Sequence, residues 1–436
     1  MVASKPTDAV TYGFWPAAAR LGLDVTVLTD QPDAHRAALA AAAHSPAAQS
    51  PAAQSPAGPV RVVGCDVWDH RALIRGVTDL PGTDAIFSNS DHLQAQTALA
   101  AHYFGLPGKD WRASQRAKDK LLMRRHLARA GVEHVPAVEI TGDACPGDLR
   151  FPVVLKPAEG VASEEVVLVG TPAELAARTA EALRRDPGRR LIAEEYLPGT
   201  LRTLETLGDG HTLWVLGGFR TSLSPLPFFA EERLTWDPPS GAEQAHVTGA
   251  LASLGVAFGA AHTEFAAGDA SGPRLIEVND RLIGDHCEFL LADLLGPDLV
   301  GTDLSGTDLS GTDLSGTDLF GQVLRVHLGD RLPTVAPRPR YRFAIADSVF
   351  ADRPGVLASV PEPVAGAAEP GVRLTCWPLR RAGETIALTH SNRDYLGVIT
   401  ACGDDQDAVA RSVAAARAAW HWEIRPGQSQ HREIRP

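Results

Sequence analysis

Two glutamates lie in short apolar segments of the chain, Ala261-His262-Thr263-Glu264-Phe265 and Pro273-Arg274-Leu275-Ile276-Glu277-Val278-Asn279-Asp280-Arg281-Leu282. The residues that join these segments, 266–272, are rich in turn formers, so the pattern predicts a β-hairpin. The register of a hairpin can place Glu264 beside Glu277 on one face. Asn279 lies two residues beyond Glu277 and points to the same face, and Arg281 lies two residues further on.

These side chains form a candidate metal site. Glu264, Glu277 and Asn279 supply hard oxygen donors, which suit Mg²⁺ because this ion keeps several waters and completes its coordination with phosphate oxygens. The guanidinium of Arg281 is suited to hold an anionic intermediate or a substrate carboxylate. The alternative is an edge hairpin with exposed charges, since charged residues are mostly solvated.

At this point the chain resembles the metal-binding end of the ATP-grasp superfamily, in particular the carboxylate–amine ligases related to bacterial L-amino acid ligases. Those enzymes carry a similar His-Thr-Glu and then Ile-Glu-x-Asn-x-Arg-Leu-x-Gly-Asp, and residues 276–285 here read Ile-Glu-Val-Asn-Asp-Arg-Leu-Ile-Gly-Asp. Asp280 departs from the pattern, because the family usually has proline or a small residue at this position. The resemblance is loose over residues 9–420 and specific between 150 and 286.

The composition is typical of a globular protein, with 436 residues of which 44% are hydrophobic and 22% charged. This length allows two to four domains. The formal net charge of −12 argues against non-specific binding to nucleic acid. The sequence has no apolar run of about 18 residues and no signal-peptide pattern, so we expect a cytoplasmic protein without a membrane partner.

The N-terminal region alternates between strand-like and helix-like segments. Strands are expected at residues 9–13, 24–29, 60–63 and 84–88, and helices at 15–21, 68–77 and 92–104. This alternation predicts a parallel α/β unit with a ligand crevice at the carboxyl ends of its strands. The region has no Gly-x-Gly-x-x-Gly and no Walker loop. By the resemblance, it corresponds to the pre-grasp domain, which helps to form the substrate cleft.

Two lysines are the candidates for phosphate binding. Lys120 belongs to a predicted helix over residues 118–127, and the resemblance assigns it to a nucleotide phosphate because the family has an Asp-Lys pair there. Lys156 leaves the apolar strand 151–157, where a lysine is costly without an anionic partner such as phosphate. The resemblance places the second ATP lysine at Lys156, and an exposed edge lysine is the alternative.

The loop at residues 158–166 matches a mobile segment whose backbone amides cover the phosphates in the family. Only Gly160 and Ser163 fit the pattern of small residues there. Glu164 and Glu165 depart from it, because carboxylates repel a triphosphate unless they face solvent or a substrate amine. The role of this loop is therefore the weakest point of the resemblance.

The segment Leu191-Ile192-Ala193-Glu194-Glu195-Tyr196-Leu197-Pro198-Gly199 matches the hinge strand of the family. Adenine needs a donor and an acceptor at fixed spacing, which the exposed backbone of a hinge supplies. The resemblance assigns the adenine edge to Glu194 and Leu197, with Glu195 as a neighbour of ribose or adenine. The resemblance also implies that the side chain of Glu205 faces the nucleotide. Without the resemblance, these would be ordinary strand carboxylates.

The candidate substrate residues come from two parts of the chain. Segment 227–234 resembles the substrate-contacting segment of amino acid ligases, and its Phe229 and Glu231 are candidate pocket walls, the acid being suited to an amine. A core aromatic and a surface glutamate are the alternative there. His262 is either a packed, hydrogen-bonded histidine or a substrate contact. Asp285, which closes the Glu-x-Asn-x-Arg pattern, is assigned to substrate together with Arg281.

The fold class that follows combines α/β and α+β domains. It is an ATP-grasp fold with a parallel α/β pre-grasp domain at 1–110, two α+β subdomains gripping ATP at 111–335 that divide near 200, a small α+β domain at 336–425 and a tail at 426–436. Two low-complexity inserts, at 45–57 and 301–320, repeat Ser-Pro-Ala-Ala-Gln and Gly-Thr-Asp-Leu-Ser. We interpret them as expansions tolerated in loops.

These assignments predict a ligase that uses ATP and Mg²⁺ (or Mn²⁺) to join a small-molecule carboxylic acid to an amine through an acylphosphate. Lys156 and Arg281 would be the catalytic residues. A homodimer is common in the resembling family. Two alternatives stay open. One is carboxylase-type ATP-grasp chemistry, although the chain has no Met-Lys-Met biotin-carrier motif. The other is a non-catalytic nucleotide-binding module, which the glycine-poor loop favours.

Overall fold

The computed structural model describes residues 1–43, 60–140, 149–268, 272–297 and 318–426. Both low-complexity inserts, apart from residues 318–320, and the tail from residue 427 lie outside the described residues. Within the described ranges, no helix is long and apolar enough to cross a membrane. The α-helices are α1 (Trp15–Arg20), α2 (Pro32–Ala43), α3 (His70–Thr78), α4 (Gln94–Tyr103), α5 (Trp111–Lys118), α6 (Lys120–Arg129), α7 (Pro172–Arg185), α8 (Gly241–Leu254), α9 (Cys287–Leu295), α10 (Leu319–His327) and α11 (Gln406–Ala419).

The strands include several long antiparallel pairs. They are β1 (Thr26–Thr29), β2 (Arg61–Gly64), β3 (Ala137–Ile140), β4 (Val153–Pro157), β5 (Val167–Val169), β6 (Leu191–Glu195), β7 (Thr200–Asp209), β8 (Leu213–Gly217), β9 (Phe219–Leu223), β10 (Glu231–Trp236), β11 (Phe258–Ala267), β12 (Arg274–Asn279), β13 (Phe343–Phe350), β14 (Gly355–Ser359), β15 (Val364–Ala367), β16 (Arg373–Pro378), β17 (Thr385–Ile386), β18 (Tyr395–Gly403) and β19 (Glu423–Arg425).

The chain forms two compact units, each built from separate stretches of sequence. Unit 1 comprises Met1–Pro136, Leu197–Arg220 and Asp237–Arg340. Unit 2 comprises Ala137–Tyr196, Thr221–Trp236 and Tyr341–Pro436. The contiguous domain boundaries given above stay a prediction, because compactness groups segments that are distant in sequence.

The sheet of unit 1 that carries the hairpin is antiparallel. β11 pairs with β12 on one side and with β7 on the other, and β8 pairs with β7. One face of this sheet packs against α5, α6 and α8 through a core that includes Met123, Leu251, Phe265 and Leu275. Each such side chain contributes about 1.5–3 kcal/mol by leaving water. Because side chains alternate along a strand, His262 and Glu264 of β11 lie on the opposite face from Phe265.

The N-terminal part of unit 1 is less regular than predicted. β1 and β2 pair in parallel, as expected for an α/β unit. The predicted strand at 9–13 is wrong, because Ala9–Phe14 is a π-helix that continues into α1. The predicted strand at 84–88 is also wrong, although the Phe87 carbonyl accepts a hydrogen bond from the Val2 amide at 2.7 Å. Short apolar runs of this kind do not distinguish helix from strand or from buried coil.

Unit 2 contains two main sheets. β3, β6, β4 and β5 form an antiparallel sheet in that order, and its core includes Leu175 of α7. β10, β13, β18, β16 and β15 form antiparallel pairs in that order, and α11 supplies Val409 and Val413 to the adjoining core. β14 pairs with both β17 and β19. Unit 2 therefore has the α+β character predicted for this part of the chain.

Candidate active site

The hairpin forms as predicted, and its register brings the two glutamates together. Glu264 of β11 and Glu277 of β12 are direct partners across the antiparallel pair, and the register shifts only after Glu264. The connector residues 269–271 lie outside the described residues. The prediction that one face carries both carboxylates is therefore confirmed by the pairing itself.

β11 lies between β12 and β7, so residues of β7 lie beside the polar residues of the hairpin. His262 is the partner of Asn279 on one side and of Glu205 on the other, while Glu264 is the partner of Glu277 and Thr203. We call this set of six residues the acidic face. Its two rows are Glu205–His262–Asn279 and Thr203–Glu264–Glu277.

Lys120, the first residue of α6, reaches the acidic face. The helix begins there because the Asp119 side chain accepts hydrogen bonds from the Leu121 and Leu122 amides, both at 3.0 Å. The predicted helix start near residue 118 is therefore two residues early, since Lys118 ends α5. Lys120 Nζ lies 2.7 Å from Glu277 Oε2. Burial opposes its charge, yet Glu277 and more distant carboxylates raise the pKa of Lys120 above its ordinary value.

His262 is held between two carboxylates of the acidic face. Its Nδ1–H donates to Glu205 Oε1 at 2.8 Å, and its Nε2 lies 3.4 Å from Glu264 Oε1. Burial opposes protonation, but Glu205 and Glu264 together raise the pKa of His262 to about 10. The side chain is therefore a buried imidazolium at neutral pH, and it neutralises part of the charge around Glu264.

The donor set of the acidic face fits a divalent cation held through oxygen. Asn279 Nδ2 donates to Glu277 Oε1 at 2.7 Å, so the amide of Asn279 lies beside the carboxylate of Glu277. Across the described ranges, no three His, Cys, Asp or Glu side chains are arranged to hold a metal. An ion here would therefore take its remaining ligands from water and phosphate, as Mg²⁺ prefers.

Arg281 lies just beyond the acidic face, where the chain turns. Its amide donates to the Asn279 carbonyl at 2.8 Å, and its Nη1 donates to the Leu282 carbonyl at 2.6 Å. The side chain of Asp91 is 9% exposed, and it is close enough to Arg281 to interact with it electrostatically. Burial opposes ionisation of Asp91, but its ion-pair partner Lys118 and Arg281 keep the pKa of this carboxyl below its ordinary value.

Asp285 and the residue after it form a strained turn before α9. Asp285 is exposed with φ of 56°, and His286 follows with φ of 66°. Non-glycine residues rarely adopt this left-handed conformation. The imidazole of His286 is fixed by Asp8, with Nε2 2.8 Å from Oδ2. The assignment of Asp285 to substrate stays a prediction.

In unit 2, Lys156 is paired inside the protein. It is 3% exposed in β4 and forms an ion pair with Glu194 of the adjacent strand β6. The alternative of an exposed edge lysine is therefore wrong. The argument that burial of this lysine calls for phosphate is also corrected, because a protein carboxylate already balances its charge.

The rest of the predicted hinge lies where the chain leaves unit 2. Glu195 is half-buried at the end of β6, and unit 1 resumes at Leu197. Leu197 is buried and packs with Val135 and Ala266. The contacts of these residues with adenine stay predictions.

The glycine-poor loop 158–166 has partners for both of its unexpected carboxylates. Glu164 Oε1 lies 3.0 Å from Arg393 Nε, and Glu165 Oε2 lies 3.0 Å from Arg189 Nε. The loop also turns through left-handed conformations, including Ser163 with φ of 53°. The two acids thus bind arginines of unit 2, which removes the main electrostatic objection to a phosphate-binding role for Gly160 and Ser163.

The candidate substrate segment of unit 2 is fixed by the turn that precedes β18. The Glu231 amide donates to Asn392 Oδ1 at 2.9 Å, and Asn392 Nδ2 donates back to Glu231 Oε1 at 3.3 Å. The Tyr395 hydroxyl donates to the Glu231 carbonyl at 2.6 Å. Phe229 is half-buried, and its ring centroid is 6.4 Å from that of Tyr196. Glu231 is therefore ordered by hydrogen bonds rather than being a free surface glutamate.

The sequence analysis missed a second buried network near the site. Lys109 and Ser114 both bind Asp280 beside the end of β12, and Asp91 pairs with Lys118. The one signal in the sequence was that Asp280 departs from the family pattern. Nothing in the local pattern indicated its partners, which lie more than 160 positions earlier in the chain.

A protein-family model and a known protein match parts of this chain. A family model for pentapeptide repeats, in eight copies, matches residues 287–321. The described residues of this stretch include α9 and the beginning of α10. The uncharacterized protein y4rH of Sinorhizobium fredii (strain NBRC 101917 / NGR234) is 27% identical over an aligned length of 367 residues, and the match covers 79% of this chain and 69% of that protein.

Solved structures match almost the whole chain. An L-amino acid ligase from Bacillus licheniformis matches with a TM-score of 0.72 at 21% identity, covering 97% of this chain and 98% of that one. The biotin carboxylase domain of the Hydrogenobacter thermophilus 2-oxoglutarate carboxylase, crystallised with MgADP, ADP and bicarbonate, matches with a TM-score of 0.63 at 16% identity, covering 97% and 90%. Together with the mixed α/β architecture described above, these matches show that the chain has the multidomain ATP-grasp fold.

Proposed function

We propose that this protein is an ATP-dependent carboxylate–amine ligase that forms an amide bond through an acylphosphate and releases ADP and phosphate. The observation that carries the proposal is the acidic face, where Glu264 and Glu277 are cross-strand partners and Asn279 occupies the adjacent row. The similarity to an L-amino acid ligase over nearly the full length of both chains supports an acid and an amine as substrates.

Glu264, Glu277 and the amide oxygen of Asn279 would hold Mg²⁺, for which Mn²⁺ can substitute. When bound, this ion neutralises phosphate charge during phosphoryl transfer. Lys120 is already placed on Glu277, 2.7 Å away, and it moves onto a phosphate oxygen when ATP binds. Lys156 is the second phosphate ligand, and it exchanges its Glu194 partner for the nucleotide. The similar domain crystallised with MgADP supports ATP and Mg²⁺ as the groups that are bound.

The chain's own residues then act on two successive steps. A substrate carboxylate oxygen attacks the γ-phosphorus and ADP leaves, which produces the acylphosphate. The amine nitrogen attacks the acyl carbon, and phosphate departs with the original carboxylate oxygen. Arg281 stabilises the negative charge of the tetrahedral adduct between these events. Gly160 and Ser163 cover the phosphates with backbone amides.

The remaining assignments concern adenine and substrate selection. The backbone at Glu194 and Leu197 reads the adenine edge, while Glu195 and Glu205 lie beside the nucleoside. Phe229, Glu231, His262 and Asp285 line the substrate site. His262 is held by two carboxylates, so we assign it to ordering Glu264 as well as to substrate contact.

Two other functions have some support. Carboxylase-type chemistry is supported by the similar biotin carboxylase domain, which was crystallised with bicarbonate. A non-catalytic nucleotide-binding module was favoured by the glycine-poor loop, but Glu164 and Glu165 are bound to arginines, which weakens that argument. The three functions predict different requirements for ADP formation.

The test is ADP release from Mg-ATP across a matrix of amino acids, small carboxylic acids and amines, with mass spectrometry of the products. A ligase requires one acid and one amine, and its product has their summed mass minus water. Dependence on bicarbonate alone would favour a carboxylase, and ATP binding without turnover would favour the binding module. Glu277→Gln should lower ADP release by on the order of 100-fold. Glu133→Gln is the matched control, because Glu133 is a buried, paired carboxylate that is not part of the acidic face.

A further inference from the structure

Asp280 separates two residues of the proposed site, the metal ligand Asn279 and the substrate residue Arg281. It follows directly after β12, and it is only 4% exposed. A buried charge at this position is costly unless it is fully paired and hydrogen-bonded, so the contacts of Asp280 indicate what the charge does.

Both carboxylate oxygens of Asp280 are occupied by residues of the same unit. Lys109 Nζ lies 2.8 Å from Oδ1, and the Ser114 hydroxyl donates to Oδ2 at 2.6 Å. Ser114 belongs to α5, and Lys109 lies just before that helix. The side chains of Lys109 and Asp280 are 7% and 5% exposed. The pair therefore has little access to solvent, and it cannot serve as an exposed docking charge.

Lys109 also binds the backbone of β11 and of the residue that follows β12. Its ammonium donates to the Ala260 carbonyl of β11 at 3.2 Å and to the carbonyl of Asp280 itself. Immediately after Asp280, the Arg281 amide closes a tight turn onto the Asn279 carbonyl at 2.8 Å. One cation thus ties the last residues of β12 to the neighbouring strand. Burial lowers the pKa of Lys109, and Asp280 offsets part of this effect.

We infer that Lys109, Ser114 and Asp280 form a positioning assembly that sets the backbone between Asn279 and Arg281. The inference rests on the proposed function, because it assumes that Asn279 is a metal ligand. An ion pair that held the fold alone would have no particular effect on metal binding. Partners that orient a metal ligand usually change metal affinity by about 10- to 100-fold when they are removed.

The experiment compares two double variants that lose the same charges. Lys109→Met with Asp280→Ala removes the assembly and leaves a flexible backbone. Lys109→Met with Asp280→Pro removes the same ion pair but restores a rigid residue. Isothermal calorimetry measures ADP affinity with and without Mn²⁺ for both variants and for the wild type, and thermal unfolding reports stability.

The positioning assembly predicts that the Mn²⁺-dependent gain in ADP affinity falls about tenfold in the alanine variant. The proline variant should keep most of this gain, and both should bind metal-free ADP like the wild type. Equal gains in the two variants, whether both are retained or both are lost, would overturn the inference. Binding of ADP by the wild type without any Mn²⁺ dependence would instead overturn the proposed function, and the inference with it.

Ser114→Ala provides a milder test in case the double variants do not fold. It removes one hydrogen bond to Asp280 and leaves the Lys109 pair intact. We expect the Mn²⁺-dependent gain to fall severalfold with metal-free ADP affinity unchanged. A stability loss with no change in that gain would show that the network supports only the fold, and it would contradict the inference.

Discussion

Replacing Glu288 by glutamine should stabilise the protein, and the effect should grow with pH. Glu288 lies in the first turn of α9, is 3% exposed, and its Oε2 atom makes no hydrogen bond. Burial raises the pKa of this carboxyl to about 7 from an ordinary 4.5, and Asp285 adds to the effect, while His286 and Arg281 oppose it. Glutamine keeps the shape of the side chain and removes the need to bury a charge.

The size of the effect follows from linkage. A carboxyl whose folded pKa is raised favours the folded state at pH below its unfolded pKa of 4.5, and this advantage disappears as the pH rises through about 7. The difference of about 2.5 units corresponds to about 3 kcal/mol. About 2 kcal/mol of this loss of wild-type stability should occur between pH values of roughly 5.5 and 8.5. The stability of the wild type should therefore fall relative to that of Glu288→Gln as the pH rises.

The assay is urea unfolding of wild type and Glu288→Gln at both pH values, and the difference between the two pH values cancels the pH-independent cost of the new amide. Glu232→Gln is the control for net charge, because Glu232 is an exposed glutamate. If the stability difference between wild type and Glu288→Gln were the same at both pH values, the account of Glu288 as a buried, poorly solvated acid would be refuted.

Three further predictions concern the proposed site and unit 2. Lys120→Met should weaken ATP binding by about 10- to 100-fold, because a charge-assisted hydrogen bond is lost, and unchanged affinity in calorimetry would remove Lys120 from the phosphate site. Asp347→Ala should cost about 2 kcal/mol in thermal unfolding, since this buried carboxylate binds two arginines at 2.7 and 2.6 Å. Asp352→Ala, in an exposed pair, is its control and should have little effect. Arg393→Ala should change stability by less than about 1 kcal/mol. It should nevertheless speed proteolysis of loop 158–166, because Glu164 loses its arginine partner. Equal cleavage rates in the wild type and the variant would show that this ion pair does not hold the loop.

The hairpin could be predicted from the sequence because the residues that form it lie close together in the chain. A period of two places alternate residues on opposite faces, and the glycine-containing connector favours a hairpin, so neighbouring residues allowed the pairing of Glu264 with Glu277 that forms. The same reasoning failed at residues 9–13, where a short apolar run is equally compatible with the π-helix that forms.

Contacts between distant segments could not be predicted. His262 was expected to be packed or in contact with substrate, and its double pairing depends on Glu205 in another strand, 57 residues earlier. Lys156 was expected to need phosphate, but the adjacent strand supplies Glu194. Glu164 looked unfavourable in its loop because its partner, Arg393, lies 229 residues further along the chain. In each case the local sequence shows the charged side chain, but the topology of the fold determines which residue pairs with it.

The measurement that tests the central claim most directly is oxygen transfer from substrate to phosphate. A carboxylic acid that supports ADP release is labelled with ¹⁸O at both carboxylate oxygens, and the released phosphate is analysed by mass spectrometry. Activation as an acylphosphate predicts one ¹⁸O atom in each phosphate and ADP as the nucleotide product. Unlabelled phosphate, or AMP with pyrophosphate, would contradict the proposal that this protein phosphorylates a carboxylate before an amine attacks it.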